Sequence, residues 1–265
     1  MAVKVAAPHL LAVEAAGAAC SAAIWSGGRV AARRFAPMLR GQSEHLVPMI
    51  AEVMAAWDGG FSALDAIAVT TGPGGFTGVR IGLATARGLA LARRLPLLGL
   101  SSFEVAAAAA TEAERSGRVV ASLIDSKRAD VFLQCFDSAL EPQDGPRELS
   151  LERLSAALPA GPLLLAGDAA AQAAAALAAA GRGDVAVAAA AGPGDAGVLA
   201  ARAAQRLVAG AVEADSAQPL YLRAPDVTPP GSVSGPVSGP VSGPAAARRS
   251  PSGNSADGTQ PRRRR

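Results

Sequence analysis

Between an extended apolar run, DAIAVTT (65–71), and a long helical pattern lies GPGGFTGVRIG (72–82), with five glycines and one proline. Strand, glycine turn and helix in that order form the repeating unit of α/β folds. So many glycines mean that the backbone must turn sharply or pass close to something. A phosphate is the first candidate. A P-loop needs G-x-x-x-x-G-K-[ST], with a lysine reaching the terminal phosphates. Here Gly78 is followed by Val79 and Arg80, so that loop is excluded. The dinucleotide pattern G-x-G-x-x-G matches at Gly72 and Gly74 but reads Thr77 at its third glycine. The acidic ribose ligand expected about twenty residues on is replaced by PLLGLSS.

A structural reading fits better. Gly78, Gly82, Ala86 and Ala90 recur every four residues and form one stripe of small side chains down a helix. Such a stripe lets a neighbour approach at short range. Gly74 and Gly75 are expected to supply positive φ angles at the helix entry, and Thr77 its N-cap. The spacing leaves open whether the neighbour is the chain's own sheet or a partner protein.

The remaining pattern places this unit in a two-lobed α/β architecture. LLAVEA (10–15) reads as a buried strand, and CSAAIWSGGRVAARRFA as two strands about a Gly27-Gly28 hairpin turn. Leu46, Met49, Ile50, Val53, Met54 and Trp57 recur at helical spacing, with Ser43 as the N-cap and Pro48 disturbing the first turn. PLLGL (96–100) reads as a strand, followed by a helix capped by Ser101 or Ser102. RVVASLID (118–125) and ADVFLQCF (129–136) form a second hairpin. A helix near 151–157, the strand PLLLAG, an alanine-rich helix, the strand DVAVA and a helix over about 195–209 complete the body, with QPLYLR (218–223) as a candidate last strand. Strand hairpins alternating with helices thus occur twice, with a boundary near residues 100–117. The expected division is an N-terminal lobe over 1–105, a C-terminal lobe over 106–225 and a low-complexity tail over 226–265. The tail repeats VSGP three times, ends PRRRR, and is expected to be disordered.

That tail explains the basic charge. The chain of 265 residues carries +3, but six of its 25 basic residues and two of its 22 acidic ones lie from Asp226 onward. The body holds 19 basic against 20 acidic residues, which argues against a nucleic-acid-binding face on it. Cys20 and Cys135 are too few for a disulfide framework or a cysteine-rich zinc site, so a reducing, cytoplasmic setting is the default. MAVKVAAPHLLAVEAAGAAC loosely resembles an export signal. A single Lys4 and an early Glu14 speak against it, and no apolar run is long enough to suggest a membrane span.

Catalytic parts are few. His9 and His45 are the only histidines, and Met49 follows His45 at the next helical position, so no metal-binding pair forms. There is no G-x-S-x-G elbow. Asp125, between two strands, either closes a turn or helps hold Mg²⁺. Asp168 reads as a favourable charge at a helix start. No catalytic residue and no metal ligand is assigned.

LLAVEAAGAACSAAIW, SEHLVPMI, AVTTGPGGFTGVRIGLATARGLAL, PLLGLSS, the Asp125 hairpin and QPLYLR, in this order, resemble the TsaB family over about residues 9–224. GPGGFTGVRIG is the most specific part. The resemblance implies an actin-like ATPase (ASKHA, RNase H-like) fold and a cytoplasmic, non-catalytic accessory role in making threonylcarbamoyladenosine on transfer RNA. It implies a catalytic paralogue, TsaD, as partner, and an ATPase, TsaE, in the same complex. ATP and metal would be used by those partners, and transfer RNA would be met through the complex. A homodimer is the other pairing it implies. The interface would involve the helices near 43–57 and 77–94, through Leu46, Met49, Ile50, Val53, Gly78, Gly82, Ala86 and Ala90. A vestigial nucleotide cleft would hold Glu14, Gly74, Gly75 and Asp125. The chain departs from the family at Val13, Glu14 and Ala15, where Ile-Asp-Thr is usual, and at Asp130 and Phe132, where Glu and Tyr are common. An actin-fold ATPase or kinase is the alternative, and a metallopeptidase has less support.

Overall fold

Among the described residues, ten strands pair into two sheets that repeat one topology. The first contains β1 (Leu10–Glu14), β2 (Ala19–Ser26), β3 (Arg29–Pro37), β4 (Ala66–Thr70) and β5 (Leu97–Leu100), in the order β3-β2-β1-β4-β5. The second contains β6 (Val119–Asp125), β7 (Asp130–Phe136), β8 (Arg147–Ser150), β9 (Leu163–Ala166) and β10 (Val185–Val187), in the order β10-β9-β6-β7-β8. In each sheet the first three strands in sequence are antiparallel neighbours, the fourth joins the first in parallel, and the fifth joins the fourth in parallel. The structure is a computed structural model and describes residues 6–210 and 217–223. All of these fall in one unit, Met1–Ala224. The VSGP and arginine segment lies outside the described residues.

The helices are α1 (Gln42–Ala55), α2 (Phe76–Arg93), α3 (Ser102–Ala109), α4 (Glu112–Arg115), α5 (Leu154–Ala157), α6 (Ala170–Ala179) and α7 (Ala196–Ala209), with short 3₁₀ turns at Phe61–Ala63 and Leu151–Arg153. Strand alternation sorts the core into layers. Leu11 and Val13 of β1 point to one side, where α1 and α2 bury Leu46, Ile50, Val53, Val79 and Leu83. Leu10 and Ala12 point to the other, where α7 buries Leu199, Ala200, Ala203 and Leu207. The central strands are therefore apolar on both faces and read as unbroken apolar runs. A helix from the far end of the body thus completes the first sheet, which strand and helix periodicity do not reveal.

Local chemistry differs from expectation at several points. Gly41, in the left-handed region at φ 95°, precedes α1, and Ser43 lies inside the helix rather than capping it. Pro48 sits within α1. α2 begins at Phe76 after Gly75, so Thr77 is not its N-cap. The positive φ of the glycine loop belongs to Gly72, at 99°, and not to Gly74 or Gly75. Ser101 caps α3 as expected, accepting from the Glu104 N–H. QPLYLR makes no strand: residues 217–223 run as an irregular strap, with the Leu220 N–H donating to the Thr71 carbonyl at 2.9 Å. The edge strand β8, RELS, has no apolar alternation and therefore leaves no strand signal in the sequence.

Candidate functional site

The carboxyl ends of the central strands converge, as they do wherever open α/β sheets bind ligands. β1 ends in Glu14, β4 in Thr70, β6 in Asp125, and β9 leads into Gly167 and Asp168. Three carboxyl groups therefore collect where a nucleotide cleft is expected, yet each is engaged by the chain itself.

Glu14 is 2% exposed. Its Oε1 accepts the Ala16 N–H at 2.6 Å and its Oε2 accepts the Thr70 hydroxyl. Gly194 passes directly over it: a Cβ built there would come within 2.9 Å of the Glu14 carboxyl. Burial pushes the Glu14 pKa above the ordinary value, Thr70 and the loop N–H groups pull against that rise, and the charge of Asp168 adds to it. A carboxyl so placed is covered and engaged within the chain, and it is not presented to a cation.

Asp125 closes the β6–β7 turn. Its Oδ1 accepts the Lys127 N–H at 2.7 Å and its Oδ2 pairs with Lys127 Nζ at 2.8 Å. Partial burial would raise its pKa, but the Lys127 contacts outweigh that and leave it lowered. Asp168 stands just before Ala169, the N-cap of α6, where its charge suits the helix start, and its side chain also has a partner in the cleft. It accepts the Asp125 N–H at 2.8 Å, and burial raises its pKa. Asp168 is thus a cleft residue that sequence reasoning misses. A signal for it exists, because LLLAGD ends a parallel strand with a carboxylate much as LLAVE does. Among the described residues, no group of three or more His, Cys, Asp or Glu side chains is placed to hold a metal ion.

The glycine loop is also filled from within. The Gly75 N–H donates to the Ala16 carbonyl at 2.8 Å. A Cβ on Gly74 would collide with that same oxygen, and a Cβ on Gly78 with the carbonyl of Ala15. Gly82 would place a Cβ 3.6 Å from Val69 Cγ2 and 3.7 Å from Ala15 Cβ. The glycines exist because the turn after β1 lies against them.

This geometry corrects the expected interface. Gly78, Gly82, Ala86 and Ala90 are buried on the first sheet, together with Leu46, Ile50 and Val53, while Met49 is half-buried. They form core, because helical spacing marks a face without saying what covers it. The uncovered faces of the same two helices carry other residues. On α1 these include Val47, 59% exposed, and Ala51; on α2 they include Ala84, Gly88 and Leu91, which is 82% exposed. The charges divide as well. α1 carries Glu44 and Glu52 and no lysine or arginine, whereas α2 carries Arg80, Arg87 and Arg93 and no carboxylate.

Among the described residues, no helix is long and apolar enough to cross a membrane. The family model described as "TsaD: tRNA N6-adenosine threonylcarbamoyltransferase" matches residues 37–176, more than half of the chain. A curated relative from Escherichia coli (strain K12), named tRNA threonylcarbamoyladenosine biosynthesis protein TsaB, is 36% identical over 124 residues, 47% of this chain and 53% of that protein. One of the same name from Haemophilus influenzae is 36% identical over 124 residues, 46% of this chain and 51% of that protein. The chain thus spans about half the length of the curated relatives it matches. A solved structure, YeaZ from Pseudomonas aeruginosa, superposes with a TM-score of 0.67 at 27% identity, covering 81% of this chain and all of YeaZ. The two sheets of one topology are those of the actin-like fold, and the chain belongs to the family whose model is described as TsaD, with its similarity to the proteins named TsaB running over about half of their length.

Proposed function

We propose that this chain is a non-catalytic accessory subunit in the synthesis of threonylcarbamoyladenosine on transfer RNA, pairing with and activating a catalytic relative of TsaD type. The observation that carries the reading is the self-filled cleft. Glu14, Thr70 and Ala16 satisfy one another under Gly194, and the glycine loop is seated on Ala15 and Ala16. A nucleotide with its cation would need that space and an open carboxylate, so ATP and metal are assigned to the partner proteins, with a TsaE-type ATPase among them. A cytoplasmic location goes with this role.

The pairing surface is the uncovered face of α1 and α2. Its centre is apolar and small-featured, from Val47 and Ala51 across to Ala84, Gly88 and Leu91. A partner with the same fold, related by a near two-fold axis, would set α1 against α2 across this small-featured centre. Because this arrangement is self-complementary, a homodimer would compete with the heterodimer for one surface. The test is co-elution with the TsaD-type protein of the same organism, read by light scattering, with and without the TsaE-type ATPase and ATP. A stoichiometric complex that Gly88→Arg abolishes is the expected result. Separate peaks under all conditions would overturn the proposal.

A further inference from the structure

Arg80, Arg87 and Arg94 are spaced seven apart along α2 and its C-cap. Seven residues turn a helix almost two full turns and advance it about 10 Å, so Arg80 and Arg87 line one edge of α2, and Arg94 follows at the C-cap, where the backbone is left-handed at φ 54°. All three are exposed. The row runs beside the strap: the Arg87 Nη2 donates to the Ala217 carbonyl at 2.7 Å, and the Arg80 Nε donates to the Tyr221 hydroxyl at 3.1 Å. At its start the Arg80 guanidinium lies 3.7 Å from the centre of the Phe76 ring. The Phe76 and Tyr221 rings stand 5.6 Å apart, tilted by 36°. Although held in place, Phe76 is 45% and Tyr221 42% exposed.

Securing the strap accounts for one donor each on Arg80 and Arg87. It does not account for Arg94, nor for two large rings kept half in water. Rings and a guanidinium plane at the head of a row of cations, on a helix without carboxylates, provide a stacking surface and a phosphate track. The near-neutral charge of the body conceals this, because acidic and basic residues are segregated between α1 and α2. We propose that this edge binds an unpaired stretch of nucleic acid, with phosphates along Arg80, Arg87 and Arg94 and a base stacked at Phe76 and Tyr221. The inference goes beyond the pairing proposed above: it uses the strap side of α2, away from α1, and does not require the partner.

The test is fluorescence anisotropy with a labelled, mixed-sequence RNA of roughly 12 nucleotides, a length in the range of single-strand sites. The whole 265-residue chain is used, with Arg248, Arg249 and Arg262 to Arg265 changed to glutamine so that the tail contributes no positive charge. Salt-dependent binding is expected. R80E/R87E/R94E should weaken it roughly tenfold or more and lower the salt slope by about two, at ~0.7 per phosphate contact for single strands. Phe76→Ala should weaken it by about tenfold with little change in slope. DNA of the same sequence measures how far the sugar matters, and a perfect duplex should compete poorly. Absence of binding by the tail-neutralised chain, equal binding by the triple variant, or equal competition by duplex would each overturn the proposal. Co-elution of the triple variant with the TsaD-type protein is followed in parallel. Failure of pairing in the unaltered chain, with RNA binding intact, would remove the pairing reading and leave this one.

Discussion

The backbone of Gly78 rests on the carbonyl of Ala15, so closely that a Cβ at position 78 would overlap the oxygen. This contact seats α2 on the turn after β1 and closes the cleft from below. Gly78→Ala is therefore expected to force α2 away from the sheet and to destabilise the protein by about 1–3 kcal/mol, the range for overpacking. Urea unfolding of the two proteins measures it. Gly88 lies further along the same helix with open space around it: a Cβ added there would meet nothing within 4 Å. Gly88→Ala should stabilise the isolated chain by up to about 1 kcal/mol.

Glu104 ties two helices together. On α3 and 9% exposed, it accepts from Arg202 Nε at 3.0 Å and from Arg206 Nη1 at 3.0 Å, both on α7. Glu104→Ala would leave two guanidinium groups near each other without their carboxylate. Because both arginines are partly exposed, the expected loss is about 2–3 kcal/mol, at or below the low end for a buried pair. Chemical denaturation at neutral pH gives the number, and Glu104→Gln should recover only part of it.

Glu14 gives the chain a pH dependence with a defined sign. Its folded-state pKa lies above the ordinary carboxyl value because of burial. The neutral acid is the better-tolerated form, so this contribution is fully present below the unfolded-state pKa and is lost as pH rises through the folded one. The stability of Glu14→Gln relative to the wild type should therefore increase from acid toward neutral pH. Urea midpoints compared at pH 4 and pH 8 decide it, and a difference that shrinks with rising pH would contradict the assignment.

Cys20 and Cys135 are buried, and burial pushes their thiol pKa values up to about 11 and about 12. Neither forms appreciable thiolate at neutral pH. A chromogenic disulfide reagent should titrate essentially no thiol in the native protein and two after denaturation. Rapid native reaction would mean that a core layer opens readily.

Titration of the isolated chain with Mg²⁺–ATP is expected to give neither binding heat nor a rise in melting temperature, because Glu14 and the glycine loop are committed internally. Saturable binding would bring the ATPase alternative forward.

The element pattern is legible in the sequence because it depends on neighbours along the chain. Gly27-Gly28 marks the first hairpin, Ser101 caps its helix, and Asp125 closes its turn through a local bond to Lys127. Motif order along GPGGFTGVRIG and its companions also identifies the family. The helix pair 43–57 and 77–94 is legible as helical, but its outward side is not. Leu46 and Val47 differ by a rotation of about 100°, and periodicity alone cannot say which of the two faces a sheet and which faces solvent. Asp168 reads as a helix start because a carboxylate there is locally favourable. In the fold it also serves the Asp125 N–H, 43 residues away in sequence.

What the sequence by itself determined was the alternation of strands and helices, the family, and the absence of a lysine-bearing phosphate loop, since these rest on residue types at short spacing. Only the tertiary structure decided which face of α1 and α2 is free, that α7 completes the first sheet, and that Glu14 is closed over by Gly194. Those outcomes depend on which distant segments share space. Packing density, hydrogen-bond satisfaction and burial set them, and all three are properties of the folded chain rather than of any stretch of it.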